Sequence, residues 1–385
     1  MKYYLIAGEA SGDLHGSNLM RGLYAQDPSA DIRFWGGALM NTVFQEHQQG
    51  IGLVKDYRDT AVMGYLEVLL KGFTIARNVR FCKDDIAAWK PDVVILIDYP
   101  GFNFKIAEFA HKAGFRVFYY IAPKVWASRE GRIGKLKAYV DRLFIVFPFE
   151  IPYFEAKAVP FTYAGNPLVD AIGNSPALRE PREAFLQRTG LPDQPFIALL
   201  AGSRNMEISQ MMPSFMAFAD RWHARCPDCH FVVAAAPSRS MEDYARYLGD
   251  RPYVHVAFGE TYGVLRHARA AIINSGTASL EAALIGTPQM VGYKVAAASA
   301  FIMRRIIKVK YVSLANLIIN RLAFKEFLQE NFTVENLEAE MLRLWEEGPY
   351  RRKMLDDYAH IRELLGGSGA SEAVAKAMVE QLKNQ

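Results

Sequence analysis

Four short stretches of this 385-residue sequence carry residue types that could do chemistry. The first is Pro91-Asp92-Val93-Val94-Ile95-Leu96-Ile97-Asp98-Tyr99-Pro100, a continuous apolar run that ends on a carboxylate. In open α/β sheets the carboxyl ends of the strands face the ligand crevice, so Asp98 is placed to take a proton from a substrate hydroxyl. Capping a loop or the next helix is the competing role for such an aspartate. Asp92, at the other end of the run, reads as structural. The second stretch is Gly8-Glu9-Ala10-Ser11-Gly12-Asp13, a glycine turn leading into a helix expected near Leu14 with Asp13 as its N-cap. It lacks the Gly-x-Gly-x-x-Gly spacing of dinucleotide sites, while free N–H groups at a helix start favour anions or hydroxyls.

The remaining two stretches are Ala201-Gly202-Ser203-Arg204, ahead of a helical pattern from about Glu207, and Asn274-Ser275-Gly276-Thr277, ahead of the helix Ala278–Ile285 that Gly286 and Pro288 end. They supply two helix N-termini, glycines for close approach, hydroxyls and a guanidinium, a set suited to a diphosphate. Glu281 follows Thr277 by four residues, which is not capping-box spacing. It could accept hydrogen bonds from a ribose diol, or simply complement the helix dipole. No Walker A lysine motif and no Asp-x-Asp pair accompanies the set, so a nucleotide sugar bound without metal or cofactor is expected. His223, Cys226, Cys229 and His230 lie close together but lack the second ligand pair of a structural zinc site.

These residues need a scaffold to hold them. The apolar runs Tyr3–Ala7, Ile32–Trp35, Val93–Asp98, Val117–Ile121 and Leu143–Phe147 alternate with amphipathic stretches such as Ile106–Lys112, closed by Gly114. Continuous apolar strands separated by helices predict a parallel sheet covered on both faces. Pro148, Pro152, Pro160, Pro167 and Pro176 then interrupt every period, and the pattern restarts with Phe196–Leu200, Phe231–Ala236, Val254–Phe258, Ala271–Ile273 and Gln289–Tyr293. The expectation is an α/β protein of two Rossmann-like doubly wound domains facing a cleft, followed by a helical tail from about Val334.

Bulk properties narrow the setting. With 51% hydrophobic and 22% charged residues the composition is globular. A net charge of +4 suits an anionic ligand or lipid surface and is too small to argue for nucleic acid. Three cysteines fit a reducing compartment. No export signal and no apolar run of about 18 residues is evident, so a cytoplasmic, soluble or peripheral protein is expected. The stretch from Ala61 to Phe73 is apolar around most of a helix: Val62, Met63, Leu66, Val68, Leu69, Leu70 and Phe73 leave only Gly64, Glu67 and Lys71 as a polar stripe. Either it is buried between two layers, or it offers a face to a bilayer or to acyl chains, helped by Lys71, Arg77 and Arg80.

The ordered set of motifs resembles the lipid-A-disaccharide synthase family. It runs through Ala7-Gly8-Glu9-Ala10-Ser11-Gly12-Asp13, Ala61-Val62-Met63-Gly64, Ile97-Asp98-Tyr99-Pro100, Pro123-Lys124-Val125-Trp126-Ala127, Phe147-Pro148-Phe149-Glu150, Gly202-Ser203-Arg204, Ser275-Gly276-Thr277-Ala278-Ser279-Leu280-Glu281, Tyr311-Val312-Ser313-Leu314-Ala315-Asn316-Leu317 and Leu328-Gln329-Glu330. The resemblance implies a GT-B fold with an acceptor-binding, membrane-contacting domain over residues 1–167, a UDP-sugar domain over 168–345, and helices over 346–385 packing back toward the first. It implies an inverting transfer from UDP-2,3-diacylglucosamine to 2,3-diacylglucosamine 1-phosphate, giving a β(1→6) disaccharide and UDP. By the same resemblance Asp98 is the general base and Arg204 stabilises the departing diphosphate. Gly202, Ser203, Ser275, Gly276, Thr277, Glu281, Asn316 and Gln329 surround UDP, and Glu9, Ser11 and Gly12 line the acceptor side. The implied partners are the acylated glucosamines and the cytoplasmic face of the inner membrane, with no nucleic acid and with a homodimer left open. Three positions depart from the family pattern: Gly101 for a second Asp, Ala201 for Pro, and Asn166 for His. A UDP-N-acetylglucosamine 2-epimerase and a non-catalytic binding module stay open as alternatives at this point.

Overall fold

The computed structural model describes residues 1–60, 67–127, 130–294 and 310–384. The chain divides into two compact units, Met1–Ala171 with Leu365–Gln385, and Ile172–Leu364. Each is built on one sheet in which all strand pairings are parallel. The first sheet contains β1 (Lys2–Ala7), β2 (Asp31–Gly36), β3 (Leu53–Asp56), β4 (Val93–Ile97), β5 (Arg116–Tyr120), β6 (Arg142–Ile145) and β7 (Phe161–Tyr163), in the order β3-β2-β1-β4-β5-β6-β7. The second contains β8 (Phe196–Leu200), β9 (His230–Ala235), β10 (Val254–Phe258), β11 (Ala270–Asn274), β12 (Gln289–Tyr293) and β13 (Glu326–Leu328), in the order β10-β9-β8-β11-β12-β13.

Parallel pairing forces each chain crossover to run over a sheet face, and the crossover helices bury both faces. The central strands therefore read as unbroken apolar runs. Tyr3–Ala7 and Val93–Ile97 are no more than 2% exposed. Doubly wound α/β architecture in both halves is as expected from the sequence. The expectation omitted β3, β7 and β13, and the reason is physical. These are three- or four-residue strands, all at sheet edges and half-buried apart from Phe327, so they carry no continuous apolar run.

The Ala61–Phe73 stretch lies largely beyond what can be assigned. Val62, Met63 and Leu66 fall outside the described residues, as do the side chains of Val68, Leu69, Leu70 and Phe73. A helix over Glu67–Trp89 is described.

Two buried carboxylates organise the first unit. The first helix begins at Ala10, earlier than the expected Leu14, and Asp13 is not its N-cap. Asp13 lies inside the first turn and caps a different helix, Ala38–His47: Oδ1 accepts from the amides of Gly37 (2.8 Å) and Met40 (3.1 Å), and Oδ2 from Leu39 (3.1 Å). Sequence proximity pointed to the nearest helix, whereas the turn after β2 brings another helix start against the same side chain. Asp170 does the same for the last helix, Ala370–Lys383, accepting from the amides of Gly369 (2.5 Å) and Ser371 (2.8 Å). That helix buries Val374, Ala375, Met378 and Val379 and packs along Ala10–Gln26; of the segment 346–385 expected to return to the first unit, this helix does so, while Pro349–Leu365 lies almost wholly in the second. Gly22 permits the close approach, since a Cβ there would stand 2.7 Å from the Ala375 methyl.

Replacing a buried acceptor strands its donors, which costs about 1–3 kcal/mol per group. Asp13→Ala is therefore expected to lower the unfolding free energy of the first unit by about 2–3 kcal/mol, and Asp13→Asn, which keeps one acceptor oxygen, by roughly half as much. Urea titration followed by circular dichroism checks this. Wild-type midpoints in both variants would show that Asp13 does not hold the Ala38–His47 helix.

Candidate functional site

In the first sheet the chain winds outward in both directions from β1 and β4, and in the second from β8 and β11. At such a switch point the loops leaving two neighbouring strands diverge and open a crevice at their carboxyl ends. The four loops there are 8–9, 98–99, 201–204 and 275–276, and each lies within one of the four stretches the sequence singles out.

Asp98 directly follows β4. Both it and Tyr99 adopt left-handed backbone, with φ of 42° and 47°. For non-glycine residues such a conformation costs about 1–3 kcal/mol each and persists only where the surroundings fix it. Here the Asp98 amide donates to the Tyr120 carbonyl at 3.0 Å. Its carbonyl accepts from the Tyr119 hydroxyl (2.6 Å) and from Asn103 Nδ2 (2.8 Å). The carboxyl is half-buried, and that burial is the chief cause of a pKa above the ordinary aspartate value. Nearby Glu9 raises it further, while Lys124 and the Tyr99 amide act in the opposite sense. Asp92 is structural, stitching the strand starts by accepting from the Lys2 amide at 2.7 Å.

Glu9 is the exposed N-cap of Ala10–Gln26, Ser11 is exposed, and Gly12 is buried against Ala7. Gly8 has a definite reason to be glycine, because a Cβ would stand 2.3 Å from the Tyr99 ring. Below that contact lies a largely apolar cavity of about 100 Å³, bordered by Ile6, Ala7, Trp35, Ile75, Tyr99 and Phe102. Gly101 is exposed, with open space where its side chain would be. Asn166 is buried and committed: Nδ2 donates to the Val146 carbonyl (2.9 Å) and Oδ1 accepts from the Leu168 amide (2.9 Å).

The second unit presents the anion-binding candidates in a more occupied form than the sequence suggests. The helix Asn205–Arg225 follows Arg204, but the two amides just ahead of it are not free. Glu207 Oε2 accepts from the Ser203 amide (2.9 Å) and the Arg204 amide (3.1 Å), and Oε1 accepts from the Arg204 guanidinium (3.1 Å). The chain's own carboxylate thus sits where an external anion was expected. The spacing Arg204-x-x-Glu207 is that of a capping box, and this was the signal available. Gly202, at φ 102°, makes room for it, since a Cβ would lie 2.3 Å from Glu207 Oε2. The Arg204 side chain is 69% exposed.

The loop after β11 is less committed. Gly276 and Thr277 are exposed at the start of the helix Thr277–Ile285, where no side chain caps the first amides. Asn274 Nδ2 donates to the Ala201 carbonyl (3.3 Å), tying this loop to the one after β8. Glu281 Oε1 accepts from the Tyr262 hydroxyl at 2.9 Å, and burial raises its pKa. Tyr262 belongs to another helix, Thr261–His267, and no spacing in the sequence connects the two residues. Asn316 is fully buried, and its amide is used up internally. Nδ2 donates to the Phe324 carbonyl (3.1 Å) and to Glu326 Oε1 (2.8 Å), while Oδ1 accepts from the Ala323 amide (2.8 Å). It braces the loop and presents no free group to a nucleotide. Gln329 follows β13 in left-handed backbone, with φ 51°.

The cysteine–histidine group finds other partners. His223 stacks on Tyr253, with ring centroids 3.8 Å apart, and His230 Nδ1 lies 2.8 Å from His255 Nε2. Among the described residues no group of three or more His, Cys, Asp or Glu is placed to hold a metal ion, and no helix is long and apolar enough to cross a membrane.

Comparison with known proteins adds the rest. In fold the chain is similar to the UDP-GlcNAc 2-epimerase of Neisseria meningitidis bound to UDP-GlcNAc, with a TM-score of 0.72, 100% of each chain covered and 14% identity. It is similar also to a putative UDP-N-acetylglucosamine 2-epimerase of Listeria monocytogenes, at TM-score 0.68 and 16% identity over 100% of this chain and 97% of that one. At such identities the likeness shows the shared fold alone. In sequence the chain is 34% identical over 381 residues to the lipid-A-disaccharide synthase of Trichlorobacter lovleyi, covering 98% of this chain and 97% of that protein. It is 36% identical over 380 residues to that of Geobacter metallireducens, covering 98% and 96%. The sequence profile described as lipid-A-disaccharide synthetase matches residues 3–379. A match of that extent, on a scaffold whose switch-point loops carry the motifs, means that the chain belongs to the lipid-A-disaccharide synthase family.

Proposed function

We propose that Asp98 is the general base of this glycosyltransferase and that the loops after β8 and β11 hold the UDP of its donor. The acceptor, 2,3-diacylglucosamine 1-phosphate, brings its 6-hydroxyl to Asp98. The hydroxyl oxygen attacks C1 of the donor sugar on the face opposite the UDP, and Asp98 takes the hydroxyl proton. The C1–O bond breaks, its electron pair goes to the β-phosphate oxygen, and UDP leaves with the configuration at C1 inverted. The observation that carries this reading is the position of Asp98, a half-buried carboxylate at the carboxyl tip of a switch-point strand. Glu9, the N-cap of the neighbouring helix Ala10–Gln26, and Ser11 and Gly12 in its first turn are assigned to the acceptor side.

Charge grows on the diphosphate as the bond breaks, and donors fixed beforehand stabilise that charge most. The open amides at the start of Thr277–Ile285, with Ser275, Gly276 and Thr277, are the first candidates, and the free oxygen of Glu281 is left for the ribose. Arg204, with Gly202 and Ser203, contributes once its guanidinium turns from Glu207 to the departing phosphate. These donors supply the positive charge in the reaction, and the mechanism assigns no step to a metal. Asn316 and Gln329 act on the loop around UDP. The cavity beside Tyr99 is assigned to one acyl chain of the acceptor, because it is apolar and its wall is the residue after the base. The apolar segment over residues 61–73 is assigned to the cytoplasmic face of the inner membrane.

Three outcomes are expected. Asp98→Asn lowers turnover by about 10²–10⁴-fold, leaving a measurable residual rate, while UDP binding, followed by calorimetry, stays within about twofold, and a chelator leaves the wild-type rate unchanged; full turnover in the variant removes the base assignment. The second concerns pH. The base must be unprotonated, and its raised pKa places the acid limb of kcat/KM above the ordinary carboxylate range. Lys124→Met removes a charge that favours the ionised form and moves that limb up, whereas Glu9→Gln moves it down. Shifts in the reverse directions would contradict the assignment. Third, Ile75→Trp fills the cavity rim and raises KM for the long-chain acceptor by about tenfold, with a short-chain acceptor and UDP little affected. Equal effects on both acceptors would move the acyl chain elsewhere.

A further inference from the structure

The base reading, on which this inference rests, leaves open why a strand should end in strained backbone. In an extended chain successive carbonyls point to opposite edges of the strand. The left-handed turn at Asp98 instead brings the carbonyls of Ile97 and Asp98 to one side, where the single amide Nδ2 of Asn103 donates to both, at 3.3 and 2.8 Å. The Tyr119 hydroxyl donates to the same Asp98 carbonyl at 2.6 Å. Asn103 stands on the second turn of the helix Pro100–Lys112 and Tyr119 on the adjacent strand β5; both are fully buried, and the Tyr119 ring lies 5.9 Å from that of Phe104. Neither donor has rotational freedom to spare. Burial, together with the nearby Asp98 carboxylate, raises the Tyr119 pKa, so its hydroxyl keeps the proton it donates.

We propose that Asn103 and Tyr119 are positioning residues for the reaction: by gripping the Asp98 carbonyl they hold its backbone in the left-handed turn that delivers the carboxylate to the acceptor hydroxyl. Helix and strand thereby fix the main chain of a loop residue from two directions, leaving the carboxylate free to meet substrate. Residues of this kind act through geometry, and misplacing a reacting group by about 1 Å can cost 10²-fold in rate.

The test uses Tyr119→Phe, which keeps the ring and loses only the hydroxyl, and Asn103→Leu, which keeps the approximate volume and loses the donors. Each is measured in the wild-type and the Asp98→Asn backgrounds. In the wild-type background kcat is expected to fall about 10- to 100-fold, KM for both substrates to stay within about twofold, and the acid limb of the pH profile to move toward the ordinary carboxylate range. In the Asp98→Asn background neither change lowers the residual rate further. An unmoved pH limb, a loss that tracks the melting temperature alone, or an equal loss in both backgrounds overturns the proposal while the base assignment stands. Full activity of Asp98→Asn removes the base assignment, and the proposal falls with it. Should one variant fail to fold, the other decides by the same four readings.

Discussion

Everything in this protein's working parts follows from strands that all run the same way. A parallel ladder needs a crossover for each new strand, crossovers cover the faces, and covered faces forbid polar side chains along the strands. Groups able to do chemistry are thereby expelled to the strand ends. Where winding reverses, between β1 and β4 and between β8 and β11, two such ends lie side by side with diverging loops. Asp98, the Glu9 turn, the Arg204 loop and the Ser275 loop occupy those places because the rest of each sheet excludes them.

The two units treat their loops differently. In the first, the strain of the Asp98 turn is stabilised from inside the fold through its carbonyl, while its carboxylate lies beside the Tyr99 amide, Lys124 and Glu9. In the second, the amides of Ser203 and Arg204 are taken by Glu207 of the helix that follows them, while no side chain caps the start of Thr277–Ile285. Any anion approaching the Arg204 loop would meet an internal carboxylate already seated on its amides.

How much could be read from residues alone depends on the range of the interaction. Strand centres such as Val93–Ile97 and Phe196–Leu200 announce themselves because burial on both faces demands consecutive apolar residues. Loop positions follow from strand ends, so Asp98, Gly202 and Ser275 were legible as candidates. The short strands β3, β7 and β13 were not, since a half-buried strand needs no apolar run. Partners joined only by tertiary structure were also invisible. Asp13 caps a helix 24 residues on, Tyr262 meets Glu281, and Asn316 closes a loop with Phe324 and Glu326. Glu207 was the exception, a local contact at a recognisable spacing that was passed over in favour of an external ligand.

The clasp between Asp170 and the Gly369–Ser371 amides has a bearing on biogenesis. A body made of Met1–Ala171 and Leu365–Gln385 is interrupted by another of nearly two hundred residues, Ile172–Leu364. On the ribosome the inserted body can complete its core while the outer one still lacks its closing helix. Until Ala370–Lys383 has been synthesised, the groove on Ala10–Gln26 that receives Ala375 and its neighbours stays uncovered, so the order of maturation runs from the inserted body to the one around it.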